Sequence, residues 1–254
     1  MLQRMIIEEF FKKYPKIAVA FSGGTDSAFL LYLAKHHAQT VCAYYVRSQF
    51  QPDFEYRDAV NVAQILDVPL TVLDIDILKY EQITSNPDNR CYYCKSRIMS
   101  AILERANADG FSVLADGTNA SDDASDRPGM AVLLEKGIVS PLKLCGLTKK
   151  DVRQRSKEAQ LPTWDKPSYA CLATRIPTGM KITDRLLVRT EESEEYMASL
   201  GFTDFRVRTA GDDALIQITG SQATLYDEKR QDIEAKLGRM YKKVILDTVR
   251  RDER

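Results

Sequence analysis

Along the first two-thirds of the chain, apolar runs alternate with amphipathic stretches. Ile17-Ala18-Val19-Ala20-Phe21 is unbroken, and Thr40–Val46 and Leu70–Ile75 are largely apolar. Runs of that length predict strands buried on both faces. Ala28–Lys35 and Phe54–Leu66 have helical composition, and residues 1–14 suit an amphipathic helix ended at Pro15. A helix over about 96–107, a strand over Phe111–Ala115 and a short apolar run at Ile138–Leu142 continue the series. Another helix opens after Leu147, with Thr148 as its N-cap. Strands alternating with helices predict an α/β domain with a parallel sheet, whose site belongs at the C-terminal ends of the strands.

The pattern changes after Pro162–Gly179, an irregular stretch carrying three prolines. Helices at about 184–200 and 221–237 and strands at 205–208, 214–218 and 243–246 predict a smaller α+β domain. The expected organisation is 1–166 as the first domain, 167–182 as a linking loop and 183–254 as the second domain.

Charge narrows the partners. Thirty-six basic residues balance thirty-six acidic ones, so no net field draws the chain to nucleic acid or a membrane surface. The sequence has no run of eighteen apolar residues and no signal-peptide core, so a cytoplasmic protein is expected. Five cysteines, an odd number, fit a reducing compartment better than a disulfide framework.

The chemistry concentrates in two places. The first is Ser22-Gly23-Gly24-Thr25-Asp26-Ser27, between the first strand and the first long helix. A strand, a glycine turn and a helix N-terminus together make an anion site, because backbone N–H groups and the helix dipole point outward. Ser22 and Ser27 add hydroxyl donors, while Asp26 either caps the helix or helps hold Mg²⁺. The second is Cys171 in Lys166–Gly179, where Lys166 and Arg175 are cations that favour a thiolate. Free cysteines are more often plain buried hydrophobes.

S-G-G-x-D-S after an apolar strand resembles the PP-loop of the ATP pyrophosphatases, the adenine nucleotide alpha hydrolase-like proteins. Further motifs follow in one order: R-C-Y-x-C-K, D-G-T-N, D-R-P-G, S-P-L before G-L-T-K, P-S-x-A-C-L-A-[ST]-R, and L-G-F before R-V-R. Over about residues 16–220 the chain resembles the lactate-racemase maturation sulfur transferases of the LarE type. That resemblance implies ATP-dependent adenylation of a carboxylate on a pyridinium dicarboxylate mononucleotide, in nickel-pincer cofactor biosynthesis. It implies Cys171 as the sulfur donor, ATP and Mg²⁺ as requirements, and a symmetric homo-oligomer. Carried over by position, Ser22, Gly23, Gly24, Asp26, Ser27, Asp116, Gly117, Asn119 and Arg127 serve ATP, with Asp126 close by. Lys95 is a cation at the reacting phosphates, and Glu194 matches an acidic position near a metal, unless it lies on a solvated helix face. Arg206 and Arg208 alternate with Val207 on one strand face, which suits a substrate monophosphate. One departure stands out: Ala214-Leu215-Ile216-Gln217 replaces the family's A-R-I-E, so an arginine and a carboxylate are missing.

Three other readings compete. Cys91, Cys94 and Cys171 could hold a [4Fe–4S] cluster, although Arg175 stands where another cysteine would strengthen that idea. A PP-loop amidotransferase or NAD-synthetase-like ligase would use ammonia instead of a thiol. A nucleotide-binding module without catalysis would use the loop alone. A tRNA thiolase is disfavoured by zero net charge and the lack of a basic appendage. Cys42 and Cys145 read as structural.

Overall fold

The buried runs form a parallel sheet. The computed structural model describes residues 6–122 and 128–247. Strands β1 (Lys16–Ala20), β2 (Thr40–Arg47), β3 (Leu70–Asp74) and β4 (Leu114–Ala115) lie in the order β3-β2-β1-β4, every neighbour parallel. Alternation divides them between two cores. Ile17, Val19, Ala43 and Tyr45 pack with Phe10, Phe11, Leu30, Leu31 and Val62. Ala18, Cys42, Tyr44 and Val46 pack with Ile102, Ala106, Phe111 and Leu133 on the opposite face. These partners come from helices α1 (Ile7–Lys13), α2 (Thr25–His37), α3 (Asp53–Ile65), the long helix introduced below over Arg90–Ala108, and the short helix Ala131–Glu135. Both faces are therefore covered, as a parallel sheet requires.

The end of the sheet differs from the sequence expectation. The fourth strand is only Leu114–Ala115, because Gly110 (φ +80°) ends the preceding helix and the chain needs Phe111–Val113 to reach the sheet. Val139 then forms a single parallel bridge to Ala115, and Pro141 starts a short helix at once.

The chain divides into two compact units, Met1–Asp76 with Asn89–Ser168, and Ile77–Asp88 with Tyr169–Arg254. The second unit thus takes in helix α4 (Glu81–Thr84) and its flanks, which precede most of the first unit's later elements. Buried Asn86, at φ +56°, explains this: its Nδ2 donates to the carbonyl of Pro177 at 2.7 Å, and its own carbonyl accepts from Gly179. Ile182 N–H likewise donates to Thr84.

The first unit continues with α5 (Arg90–Ala108), α6 (Ala131–Glu135), α7 (Pro141–Leu144) and α8 (Lys149–Glu158). The second contains α9 (Asp184–Ser199), α10 (Ala223–Leu237) and a sheet of β5 (Phe205–Ala210), β6 (Asp213–Ile218) and β7 (Val244–Leu246). β5 and β6 are an antiparallel hairpin, and β7 pairs parallel to β6. Phe205, Val207, Ala214, Ile216 and Ile218 face a core with Met197, Tyr226, Ile233 and Leu237. Among the described residues no helix is long and apolar enough to cross a membrane.

Candidate functional site

In the first unit, the ends of β1 and β4 meet the start of α2. Gly23 has φ +73°, and a Cβ there would lie 2.9 Å from the Ala59 Cβ of α3, so the turn needs glycine twice over. Gly24 is the N-cap of α2 and offers no side chain. Asp26 does not cap the helix; Oδ1 accepts from Asn119 Nδ2 at 3.3 Å and Oδ2 from Lys149 Nζ at 2.6 Å. Ser22 and Ser27 approach hydroxyl to hydroxyl at 3.1 Å, and Ser27 Oγ donates to the Gly24 carbonyl. Thr25 is turned away, its hydroxyl donating to the Thr163 carbonyl at 2.7 Å.

The segment after β4 closes the other side. A Cβ on Gly117 would come within 2.8 Å of the Ser27 nitrogen and 3.0 Å of its Cα, so Gly117 lets the two loops touch. Buried Asp116 accepts from Thr118 Oγ1 at 2.5 Å and Ser140 Oγ at 2.6 Å, which fixes its carboxylate. Lys95 reaches it from α5 at 3.9 Å. A cavity of about 270 Å³ is lined by Ser22, Gly24, Asp26, Ser27, Asp116 and Gly117, with Met99, Thr118 and Asp122 also on its wall. Backbone amides at a helix start and the Ser22 and Ser27 hydroxyls, with Lys95 and Lys149 paired to the carboxylates of the wall, make a cradle for a polyanion.

Sequence reasoning missed Lys149, which reads as part of a charged helix face yet pairs with Asp26. The G-L-T-K motif was its available signal: Thr148 caps α8 and thereby fixes where Lys149 begins it. Thr118 and Ser140, which orient Asp116, lie in the D-G-T-N and S-P-L motifs, but nothing in the sequence ties Ser140 to Asp116. The helix expected from about residue 96 begins at Arg90, so Cys91, Cys94 and Lys95 lie within it. Nothing between Arg90 and Arg97 breaks a helix, and the proline that does, Pro87, lies further upstream. Cys91 is exposed and Cys94 half-buried.

The second unit holds Cys171 at the start of a 3₁₀ turn, Leu172–Arg175. Arg175 is the bulkiest fully buried side chain among the described residues, at 1% exposure. Its Nε and Nη2 donate to the two oxygens of Glu194, at 2.8 and 3.0 Å. Glu194 is itself buried, accepting also from Tyr169 Oη at 2.5 Å and from Val207 N–H at 2.9 Å. Burial works against the Arg175 charge, but the Glu194 carboxylate outweighs it and raises the guanidinium pKa. Burial first, then the charge of Glu194, raises the Tyr169 phenol pKa, so it stays a donor. Removing one member of such a buried pair typically costs about 3–5 kcal/mol. Glu194 therefore does not lie on a solvated helix face: both oxygens are engaged.

Arg206 and Arg208 share a strand face, as the alternation predicts. Arg206 is buried, donates to the Phe205 carbonyl at 2.5 Å and lies over the Tyr169 ring at 5.1 Å. Arg208 donates to Gln217 Oε1 at 2.7 Å and to the Thr174 carbonyl at 2.6 Å. Gln217 passes the interaction on, donating to Asp247 at 2.7 Å. The glutamine at the departure from A-R-I-E thus bridges a guanidinium and a carboxylate.

Comparison with known proteins places these features in a family. Residues 16–99 match the family described as queuosine biosynthesis protein QueC. An uncharacterized protein of Synechocystis sp. is 33% identical over 220 residues, 85% of this chain and 81% of that protein. The pyridinium-3,5-bisthiocarboxylic acid mononucleotide synthase of Lactiplantibacillus plantarum is 30% identical over 209 residues, 82% of this chain and 76% of the synthase. A tRNA-specific 2-thiouridylase MnmA of Clostridium botulinum is 25% identical over 182 residues, 59% of this chain and 52% of that enzyme.

The chain belongs to the LarE family.

As a LarE-family member it has the PP-loop α/β fold expected from its motifs, here with the four-stranded parallel sheet described above. Two of the residues assigned to the nucleotide, Asp126 and Arg127, lie outside the described residues. Among the described residues no group of three or more His, Cys, Asp or Glu side chains gathers as a metal site. The three-thiolate cluster reading of Cys91, Cys94 and Cys171 gains no support from that.

Proposed function

We propose that this LarE-family protein is an ATP-dependent sulfur transferase. It adenylates a carboxylate of pyridinium-3,5-biscarboxylate mononucleotide and then supplies sulfur from Cys171. The observation that carries this reading is the presence, in one chain, of a polyanion cradle and a cysteine flanked by carbonyls tied to a buried guanidinium.

Ser22, Gly24 and Ser27 hold the terminal phosphates of ATP against the start of α2, with Lys95 and Lys149 as cations. Asp26 offers hard oxygen donors on the cavity wall, which fit Mg²⁺. Bound there with the phosphates, Mg²⁺ would neutralise charge on the departing pyrophosphate. A substrate carboxylate oxygen attacks the α-phosphorus, the α–β bond breaks and pyrophosphate leaves. Activation is needed because a carboxylate is a poor electrophile. The Cys171 thiolate then attacks the acyl carbon of the adenylate and displaces AMP, giving a thioester. Loss of the Cys171 Cα proton and cleavage of its Cβ–S bond release the thiocarboxylate and leave dehydroalanine. Two such events on one substrate give the dithio-acid. Arg206 and Arg208 take the substrate's monophosphate, where guanidinium forks match phosphate oxygens.

Replacing Cys171 with Ser tests the assignment. The variant is expected to release pyrophosphate with ATP and the mononucleotide while forming no thiocarboxylate. Full turnover to an amide with ammonia by Cys171→Ser would instead identify an amidotransferase. Absence of pyrophosphate release by the unmodified protein would leave a binding module.

A further inference from the structure

The bonds of Arg175 are distributed in a way that the reaction above does not require. Its Nε and Nη2 are spent on Glu194, and its Nη1 turns the other way. Nη1 donates to the Ala170 carbonyl at 2.7 Å, to the Cys171 carbonyl at 3.4 Å and to Thr174 Oγ1 at 2.8 Å. Thr174 closes the ring, its hydroxyl donating to the Cys171 carbonyl at 2.8 Å and its N–H to the same oxygen at 3.0 Å. The Ala170 and Cys171 carbonyls belong to the peptide units on either side of the Cys171 Cα. Both are held by one buried cation.

The cation is itself immobile. The two Glu194 oxygens fix the guanidinium plane, Val207 N–H on the edge strand β5 holds Glu194 Oε1, and the Tyr169 phenol holds Oε2. Tyr169 also lies under the guanidinium, 4.5 Å from its carbon to the ring centre. The chain of support therefore runs from the β5 backbone through Glu194 and Arg175 to the two peptides around the thiol. With both peptides fixed, rotation about χ1 is the main freedom left to the Cys171 sulfur. Glutamate on α9 and arginine in the loop are 19 residues apart and neutralise each other in the buried interior.

We infer that Arg175 is a positioning residue for the Cys171 thiol, with Glu194 as the counterion that makes its clamp rigid. This rests on the assignment of Cys171 as sulfur donor. Lysine cannot replace arginine here, because one ammonium cannot hold a carboxylate at two points and a carbonyl behind it. Misplacement of a reacting atom by about 1 Å costs on the order of 10²-fold in rate. Adenylation does not use the thiol, so it is insulated from the clamp.

The test compares Cys171→Ser, Arg175→Lys, Glu194→Gln and Thr174→Ala as full-length proteins. Pyrophosphate release with ATP and the mononucleotide and thiocarboxylate formation in a single turnover are read for all four, and alkylation of Cys171 by iodoacetamide without ATP for the three that keep the thiol. Arg175→Lys and Glu194→Gln are expected to keep pyrophosphate release within about twofold and to lose thiocarboxylate formation by about 10²-fold. Cys171 alkylation should change in both, since the peptides on either side of the thiol are no longer fixed. Thr174 is half-buried and not needed for the core, so Thr174→Ala keeps the test valid should the charged variants fail to fold. Its expected loss is about tenfold, in the sulfur step alone. Thiocarboxylate formation at the unmodified rate in folded Arg175→Lys or in Thr174→Ala overturns the clamp. Thiocarboxylate formation by Cys171→Ser overturns the donor assignment instead, so the two failures are distinguishable.

Discussion

Gly117 shows how narrowly a single position can be set. Its missing Cβ is the reason the loop after β4 can rest on the Ser27 amide, at a separation of 2.8 Å to the position a Cβ would take. Alanine there must push the two halves of the phosphate cradle apart, and the atoms it meets are backbone, which cannot rotate aside. Gly117→Ala is expected to weaken ATP binding at least about tenfold, or roughly 1.4 kcal/mol, measured by calorimetric titration. Other site residues divide into those whose role a motif announces and those that only proximity shows. Ser22, Gly23, Gly24 and Ser27 follow from the strand–turn–helix pattern. Lys149 does not, because a lysine among Lys149, Lys150 and Arg153 looks the same from the sequence whether it faces solvent or Asp26. Glu194 sits in an acidic run and reads either as near a metal or as solvated, since its partner Arg175 is remote in sequence and buried only by the tertiary fold.

At the scale of elements, the strands were legible because burial on both faces leaves continuous apolar runs, and the helices because their polar faces remain wet. Boundaries were less so. The helix α5 starts at Arg90 and not near residue 96, and the fourth strand is Leu114–Ala115 and not Phe111–Ala115, because composition alone does not mark how many residues a chain spends entering a helix or reaching a sheet. The start of α8 is the exception, since Thr148 and Asp151 form a complete capping box. Asp151 accepts from the Thr148 hydroxyl at 2.5 Å and from its N–H at 2.8 Å, and these bonds lower its pKa. A lowered folded pKa stabilises the protein above the unfolded carboxylate value of about 4, and the gain is lost as pH falls through the folded value. Asp151→Asn should therefore be less stable than the unmodified protein at pH 7, with the difference closing below about pH 4. Urea denaturation across that range measures it, and a pH-independent difference would contradict the assignment. Because α8 carries Lys149 in its first turn, the same cap sets the position of an ammonium at the phosphate cradle.

For the whole molecule, the order of motifs was more informative than composition. Zero net charge and an odd number of cysteines narrowed the field, but P-S-x-A-C-L-A after S-G-G-x-D-S pointed to one family, and 30% identity over 82% of the chain bears that out. The grouping of Ile77–Asp88 with the second unit was not legible, because it depends on bonds from Asn86 and Thr84 to residues some ninety or more positions away. The proposed sacrifice of sulfur makes the protein a reagent as well as a catalyst, and its mass records the event. Intact-mass spectrometry after incubation with ATP, Mg²⁺ and the mononucleotide is the most direct test. The account predicts a loss of about 34 Da, the mass of H₂S, confined to the peptide containing Cys171. Thiocarboxylate product accompanied by an unchanged protein mass would contradict it.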